Sequence, residues 1–276
     1  MAYVDSRNWK ESNAQLVRRG EFYLDLDCVK NWQRDLKQMN RKKPGAPYRY
    51  PDSFILFASV IYSFFHMPYR QLEGFIDKLG TYVPGLVAAD YTTLHKRISK
   101  LALKIPIPEE DVVIAVDSTG MKVTNRGEWM REKHGKVRRG WLKVHVVVDV
   151  ESKRLLSIEV TEETTADSEV LRPLLKGLNI KEGLMDGAYD TNDAFNFMKD
   201  MGVDCPGIKI RANAKVGEEP SPRSNAVLEF KKNGFKGWRQ MHQYGRRWAV
   251  EGYFSAIKRI FGETVRASTP LGIILE

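Results

Sequence analysis

Three acidic residues, far apart in the chain, stand where a carboxylate could do chemistry. Asp117 closes the apolar run Val112-Val113-Ile114-Ala115-Val116 and is followed by Ser118-Thr119-Gly120. Asp186 closes a shorter apolar run and leads into Gly187-Ala188-Tyr189-Asp190. A carboxylate at the mouth of a buried strand is costly to desolvate unless something pairs with it, and a metal ion is one such partner. Taken singly, each could as well be a turn aspartate capping a strand end. Together they present two acids at one edge of a sheet, where open α/β sheets bind ligands. The third acid, Glu251, shares a strongly helical segment with Tyr244, Arg247 and Lys258, at successive steps of three, four and seven residues. Those steps keep all four on one helix face. One acid, two cations and a phenol make an odd core face; the plain alternative is a solvated amphipathic stripe.

The elements that must position these residues follow from the hydrophobic pattern. Residues 1 to about 105 read as helices: a polar segment from Ser6 to Arg19, then Asp27 to Met39, Pro51-Asp52 to Phe65, Tyr69 to Leu79, and a basic helix through Leu94-His95-Lys96-Arg97. Short helices with a basic last member suit a helix-turn-helix-like unit as well as a plain helical subdomain. Past Pro106 and Pro108 the pattern changes to strands, at 112–117, Trp141 to Val150 and Leu155 to Thr161, the expected antiparallel meander. A helix from Asp167 to Leu178, capped by Thr165 or Asp167, precedes the strand ending at Asp186. A helix over Asn192 to Met201, a strand over Val203 to Ile210, a Gly/Pro/Ser-rich insertion loop over about 211–240 and a helix from Tyr244 to Phe261 complete the order. The sequence β-β-β-α-β-α-β-α is that of an α/β, RNase H-like mixed sheet with flanking helices, preceded by a helical N-terminal domain. The expected division is 1–105 and 106–276.

Composition narrows the partners. A net charge of +9 favours polyanions. Two distant cysteines, Cys28 and Cys205, exclude a disulfide framework and a CxxC zinc site. The five histidines show no HxH or HxxxH pairing, and no GxxxxGK[ST] loop points to a nucleotide cofactor. The longest apolar stretch, Phe54 to Phe65, falls short of the ~20 residues of a bilayer span. No membrane partner is expected, and the expected location is cytoplasmic.

The set Tyr244, Arg247, Glu251 and Lys258, spaced Tyr-x2-Arg-x3-Glu-x6-Lys, resembles the Tyr-Arg-Glu-Lys signature of bacterial insertion-sequence DDE transposases. Asp117-Ser118-Thr119-Gly120, Asp186-Gly187-Ala188-Tyr189-Asp190 and the stretch from Tyr253 to Glu263 extend the likeness, which covers about residues 111–267. The resemblance implies that Asp117, Asp186 and Glu251 are catalytic and hold two Mg²⁺ or Mn²⁺ ions, hard cations that take carboxylate oxygens. It implies that Arg247 and Lys258 grip phosphates and that Tyr244 hydrogen-bonds one. It further implies double-stranded DNA as partner (terminal inverted repeats and target), assembly as a homodimer on DNA, association with the nucleoid, and strand cleavage and transfer.

Basic segments extend the expected phosphate track. The first strand connection carries Arg126, Arg131, Lys133, His134, Lys136, Arg138 and Arg139, with Lys143 on the strand beyond it; Lys209, Arg211, Lys215, Arg223, Lys231, Lys232, Lys236, Arg239, Arg246, Arg259 and Arg266 lie further on. Trp129, Trp238 and Trp248 sit among these cations and could stack on unpaired bases, although packing is the commoner role of a tryptophan. Two alternatives stand beside the transposase: an RNase H-like nuclease without strand transfer, and a transposase-derived DNA-binding protein without catalysis. The chain departs from the resemblance where it ends, at Leu271-Gly272-Ile273-Ile274-Leu275-Glu276, soon after the catalytic helix. Activity weaker than in a longer relative is the expectation there.

Overall fold

The computed structural model describes residues 8–11, 13–14, 17, 25–101, 105–123, 141–217 and 219–265. The chain divides into two compact units, Met1–Leu103 and Lys104–Glu276.

In the first unit, α1 (Asp27–Asn40), α2 (Asp52–Phe65), α3 (Tyr69–Gly80) and α4 (Tyr91–Ile98) pack around Phe54, Ile55, Ala58, Ile61, Leu72, Ile76 and Leu94. Helix α2 ends at His66, whose left-handed φ of 52° turns the chain. Pro68 then precedes α3, which begins at Tyr69. Asp90 caps α4, accepting from Thr92 N at 3.1 Å and Thr93 N at 3.0 Å. Arg97, one of the cations of that helix, is committed internally: it reaches Asp52 Oδ1 at 2.6 Å and Tyr50 O at 3.2 Å, and stacks over the Tyr48 ring. Of the segment Ser6 to Arg19, half lies outside the described residues, and residues 9–11, 13–14 and 17 are helical.

The second unit is a mixed sheet with helices on its faces. Its strands are β1 (Val112–Val123), β2 (Trp141–Asp149), β3 (Leu155–Glu162), β4 (Ile180–Met185), β5 (Gly207–Ile208) and β6 (Thr264–Val265). They run in the order β3-β2-β1-β4-β5, with β6 beside the far end of β1. β1, β2 and β3 form the expected antiparallel meander, while β4 and β5 are parallel to β1 and to each other in turn. Alternation along β1 feeds two cores: Val112, Ile114 and Val116 pack on one side, Val113 and Ala115 on the other. The first side is covered by α5 (Asp167–Leu174) and α6 (Asn192–Asp200), through Leu171, Leu174, Phe195 and Met198. The second is covered by Trp238, Tyr244, Val250 and Phe254.

Five elements differ from the sequence expectation. β1 does not stop at Asp117 but continues to Val123, because β2 and then β6 go on pairing with it. β5 is only Gly207–Ile208. Helix α5 starts after Ala166, with no side-chain cap. Most of the expected insertion loop is helix α7 (Pro222–Met241), capped by Ser221, which accepts from Ser224 N, and opened by Pro222. Its glycines and polar residues mask an apolar face, Val227, Phe230 and Trp238, and it breaks at Gly234, where φ is 63°. A 3₁₀ turn, Tyr244–Arg247, joins α7 to α8 (Trp248–Phe261). The expected single helix from Tyr244 is therefore a turn followed by a helix.

The start of α7 is tied to the loop after β4. Asp190, with its side chain wholly buried, takes a two-point grip from Arg223, Nε to Oδ1 at 2.6 Å and Nη2 to Oδ2 at 3.1 Å, and also accepts from Arg211 N at 3.0 Å. Removing one member of such a pair leaves the other buried and uncompensated. Asp190→Ala should lower the unfolding free energy of this unit by about 3–5 kcal/mol in urea titration. A loss below about 1 kcal/mol, the scale of an exposed pair, would contradict the buried grip.

Candidate active site

Asp117, within β1, and Asp186, just past the end of β4, stand side by side on neighbouring parallel strands. Val116 and Met185, the residues before them, are register partners in the β1–β4 ladder. Neighbouring strands lie about 4.8 Å apart, so the acids that follow are close neighbours. Alternation puts both on the sheet face of Val113, Ala115 and Leu184, the face on which the 3₁₀ turn and α8 pack. At Asp117 burial along β1 falls from full to partial, because the parallel neighbour stops one residue earlier. Asp117 Oδ1 accepts from Ser118 N at 2.9 Å. Asp186 caps the 3₁₀ turn Gly187–Tyr189, with Ala188 N donating to Oδ1 at 2.8 Å.

Arg247 brings in the third acid. It donates from Nη1 to Asp117 Oδ2 at 2.6 Å, and from Nη2 to Glu251 Oε1. Asp117 and Glu251 therefore meet through one guanidinium rather than directly, and Glu251 keeps half of its side chain in solvent. Arg247 sits at the end of the 3₁₀ turn with Glu251 one helical turn beyond, which makes this contact geometrically natural.

The electrostatics report the same convergence. Burial pushes the Asp117 carboxyl above its ordinary range; Arg247 and the Ser118 amide pull it down, and the charge of Asp186 pushes it up again. The Tyr244 phenol is pushed up to about 12 by burial, opposed by Arg247 and reinforced by Asp186, Asp117 and Glu251. Tyr244 thus senses all three acids. Its hydroxyl donates to Met185 O at 3.1 Å, pinning the 3₁₀ turn to the last residue before Asp186. Lys258 lies on α8 with Nζ 3.8 Å from Glu263. Lys143 is committed to the start of α5, at 3.1 Å from both Asp167 Oδ1 and Thr165 O.

Hard carboxylate oxygens are the donor type that Mg²⁺ and Mn²⁺ take, and Asp117 and Asp186 offer them at one edge. In donor chemistry the residues fit such ions. Among the described residues no group of three or more His, Cys, Asp or Glu side chains stands close enough to hold a metal ion, since Arg247 lies between Asp117 and Glu251.

Residues around the acids were harder to foresee. Arg211, expected on a phosphate track, donates from Nε to Gly187 O at 2.6 Å and from Nη2 to Ala188 O at 3.3 Å, holding the turn that carries Asp186. Arg223 grips Asp190, and Arg246 pairs with Glu182. The Tyr189 hydroxyl is buried, with no hydrogen-bond partner among the described residues; burial raises its phenol, and Asp167, Asp117 and Asp186 raise it further. The only hint of Asp190 and Tyr189 in the sequence was their place in the Asp186 motif. Trp238 is 1% exposed and belongs to the core, while Trp248 is 69% exposed on α8. Lys209, Lys215, Lys231, Lys232, Lys236, Arg239 and Arg259 are exposed. Arg126, Trp129, Arg131, Lys133, His134, Lys136, Arg138, Arg139, Arg266 and the stretch from Leu271 to Glu276 lie outside the described residues.

A mixed sheet with helices on both faces, carrying one acid within its central strand and another just past the end of the parallel neighbour, is the RNase H-like α/β class. The sequence pattern of the family described as Transposase DDE domain matches residues 108–274, more than half of the chain, and a second pattern of the same description matches residues 17–126. The chain belongs to the DDE transposases, proteins of DNA transposition and recombination. Proteins of this family generally use divalent metal ions. No helix among the described residues is long and apolar enough to cross a membrane.

Because burial outweighs Arg247 at Asp117, its carboxyl holds a proton more tightly folded than unfolded. The fold therefore loses stability as pH rises from the ordinary carboxylate range through the raised value, and above that value the charge remains a net cost. Asp117→Asn should raise the metal-free thermal midpoint at pH 7 and flatten this acid-side dependence. A lowered midpoint would show that the Arg247 pair outweighs burial.

Proposed function

We propose that this transposase binds transposon-end DNA and catalyses metal-dependent strand cleavage and strand transfer, with Asp117, Asp186 and Glu251 as the catalytic, metal-holding acids. The observation that carries the proposal is that Asp117 and Asp186 each follow one of a pair of register partners on parallel strands, with Arg247 joining Asp117 to Glu251. Two Mg²⁺ or Mn²⁺ ions held there would supply activation of a water or 3′-hydroxyl and stabilisation of the leaving oxygen.

The chain's own residues do the rest. Arg247 offers a planar fork that matches two phosphate oxygens, and Lys258 a point charge further along α8. Tyr244 holds the 3₁₀ turn against β4, so that Arg247 and Asp186 keep a fixed relation. Its hydroxyl is already donated to Met185 O, leaving its oxygen only to accept. Arg211 fixes the Asp186 turn from behind. Exposed Trp248, one residue from Arg247, offers an aromatic face on which an unpaired base at the cut end can stack. The exposed lysines and arginines of α7 and α8, and Arg138 and Arg139 in the connection after β1, would track the phosphate backbone. The helical unit would read end DNA in a helix-turn-helix-like manner through the exposed residues of α4, including His95 and Lys96. A homodimer holding two ends in the nucleoid suits a reaction that joins them.

Glu251→Gln removes a charge without changing shape. It should reduce Mg²⁺-dependent cleavage of end DNA at least about a hundredfold while duplex binding changes less than about threefold, since phosphate contacts carry most affinity. Cleavage at the wild-type rate would remove Glu251 from the site. Joining of a cut 3′-end to target DNA by the wild type separates a transposase from a plain nuclease.

A further inference from the structure

Arg247 is expected on DNA, yet in the structure its guanidinium lies between Asp117 Oδ2, at 2.6 Å, and Glu251 Oε1. Its side chain is 17% exposed, so the pair with Asp117 is poorly screened by water. The same two carboxylates cannot close on a divalent cation while this guanidinium stands between them. A second cation in that space would also meet a like charge at contact distance, where repulsion is strong in a partly dry site. The guanidinium keeps its charge at every working pH, so protonation cannot release it. A phosphodiester can, because it offers the planar fork a bidentate anionic partner.

We infer that Arg247 is a charge gate that couples metal binding to DNA binding: without DNA it occupies the divalent cation's place between Asp117 and Glu251, and a DNA phosphate draws it away and frees both acids for metal. The inference rests on the metal-holding roles proposed above. Such coupling is reciprocal, so DNA tightens metal binding by the same factor by which metal tightens DNA binding. It keeps an activated nuclease centre from forming on protein that has not engaged a DNA strand.

The test is Mn²⁺ binding, read from the electron paramagnetic resonance of free Mn²⁺, with and without a short mixed-sequence duplex and without measuring cleavage. Wild type should bind Mn²⁺ roughly tenfold more tightly with the duplex present, a coupling of ordinary size. Arg247→Gln should bind Mn²⁺ roughly tenfold more tightly than wild type without DNA and gain little on adding it, and Arg247→Lys should fall between the two. Equal or weaker Mn²⁺ affinity in Arg247→Gln, or wild-type affinity indifferent to the duplex, overturns the gate. The wild-type comparison stands even if a variant folds poorly. Asp186→Asn separates the two levels. If Mn²⁺ binding disappears in that variant while the Arg247 substitutions change nothing, the acids hold metal and only the gate fails. If Asp186→Asn binds Mn²⁺ like wild type, the metal-holding roles fail and the gate with them.

Discussion

Two like charges on neighbouring strands need a compensating charge, and the arrangement of the second unit follows from supplying one. Asp117 and Asp186 follow register partners on parallel strands and project to the same face, where burial makes the Asp117 charge costly. The guanidinium of Arg247 meets that requirement, and it can do so because the 3₁₀ turn and α8 are seated on the second core. Val250, Phe254, Tyr244 and Trp238 fill that core and set the height of Arg247 above the sheet edge.

The loop after Asp186 shows the same economy. Its carbonyls are held by Arg211, and its last residue, Asp190, is gripped by Arg223 at the start of α7. The other end of α7 leads into the 3₁₀ turn that bears Arg247. One helix thus begins at the second acid's loop and ends beside the first acid's ion pair. That makes the insertion part of the site's frame rather than an appendage.

Much of this was legible in the sequence for identifiable reasons. The β-branched run at 112–116 fixes a buried strand, and the spacing from Tyr244 to Lys258 survives the break between the 3₁₀ turn and α8 because Arg247 and Glu251 keep their one-turn separation. What was not legible depends on contacts between distant parts of the chain. Arg211 and Arg223 look like any other cations until Gly187, Ala188 and Asp190 are brought to them. Glycine and proline around α7 hid an apolar face that only the core makes meaningful. The roles of Trp238 and Trp248 are separated by burial, which local composition does not encode. The bridge from Asp117 through Arg247 to Glu251 depends on how α8 crosses the sheet, which no local spacing determines.

The proposed function requires Asp117 and Asp186 to form the floor of a cation site. Anomalous scattering from Mn²⁺ in crystals of the protein bound to duplex DNA tests it most directly. A peak within coordination distance of both carboxylates is expected, with Glu251 turned toward it and Arg247 on a phosphate. Mn²⁺ bound elsewhere, with Arg247 still bridging Asp117 and Glu251 while DNA is in place, would contradict it.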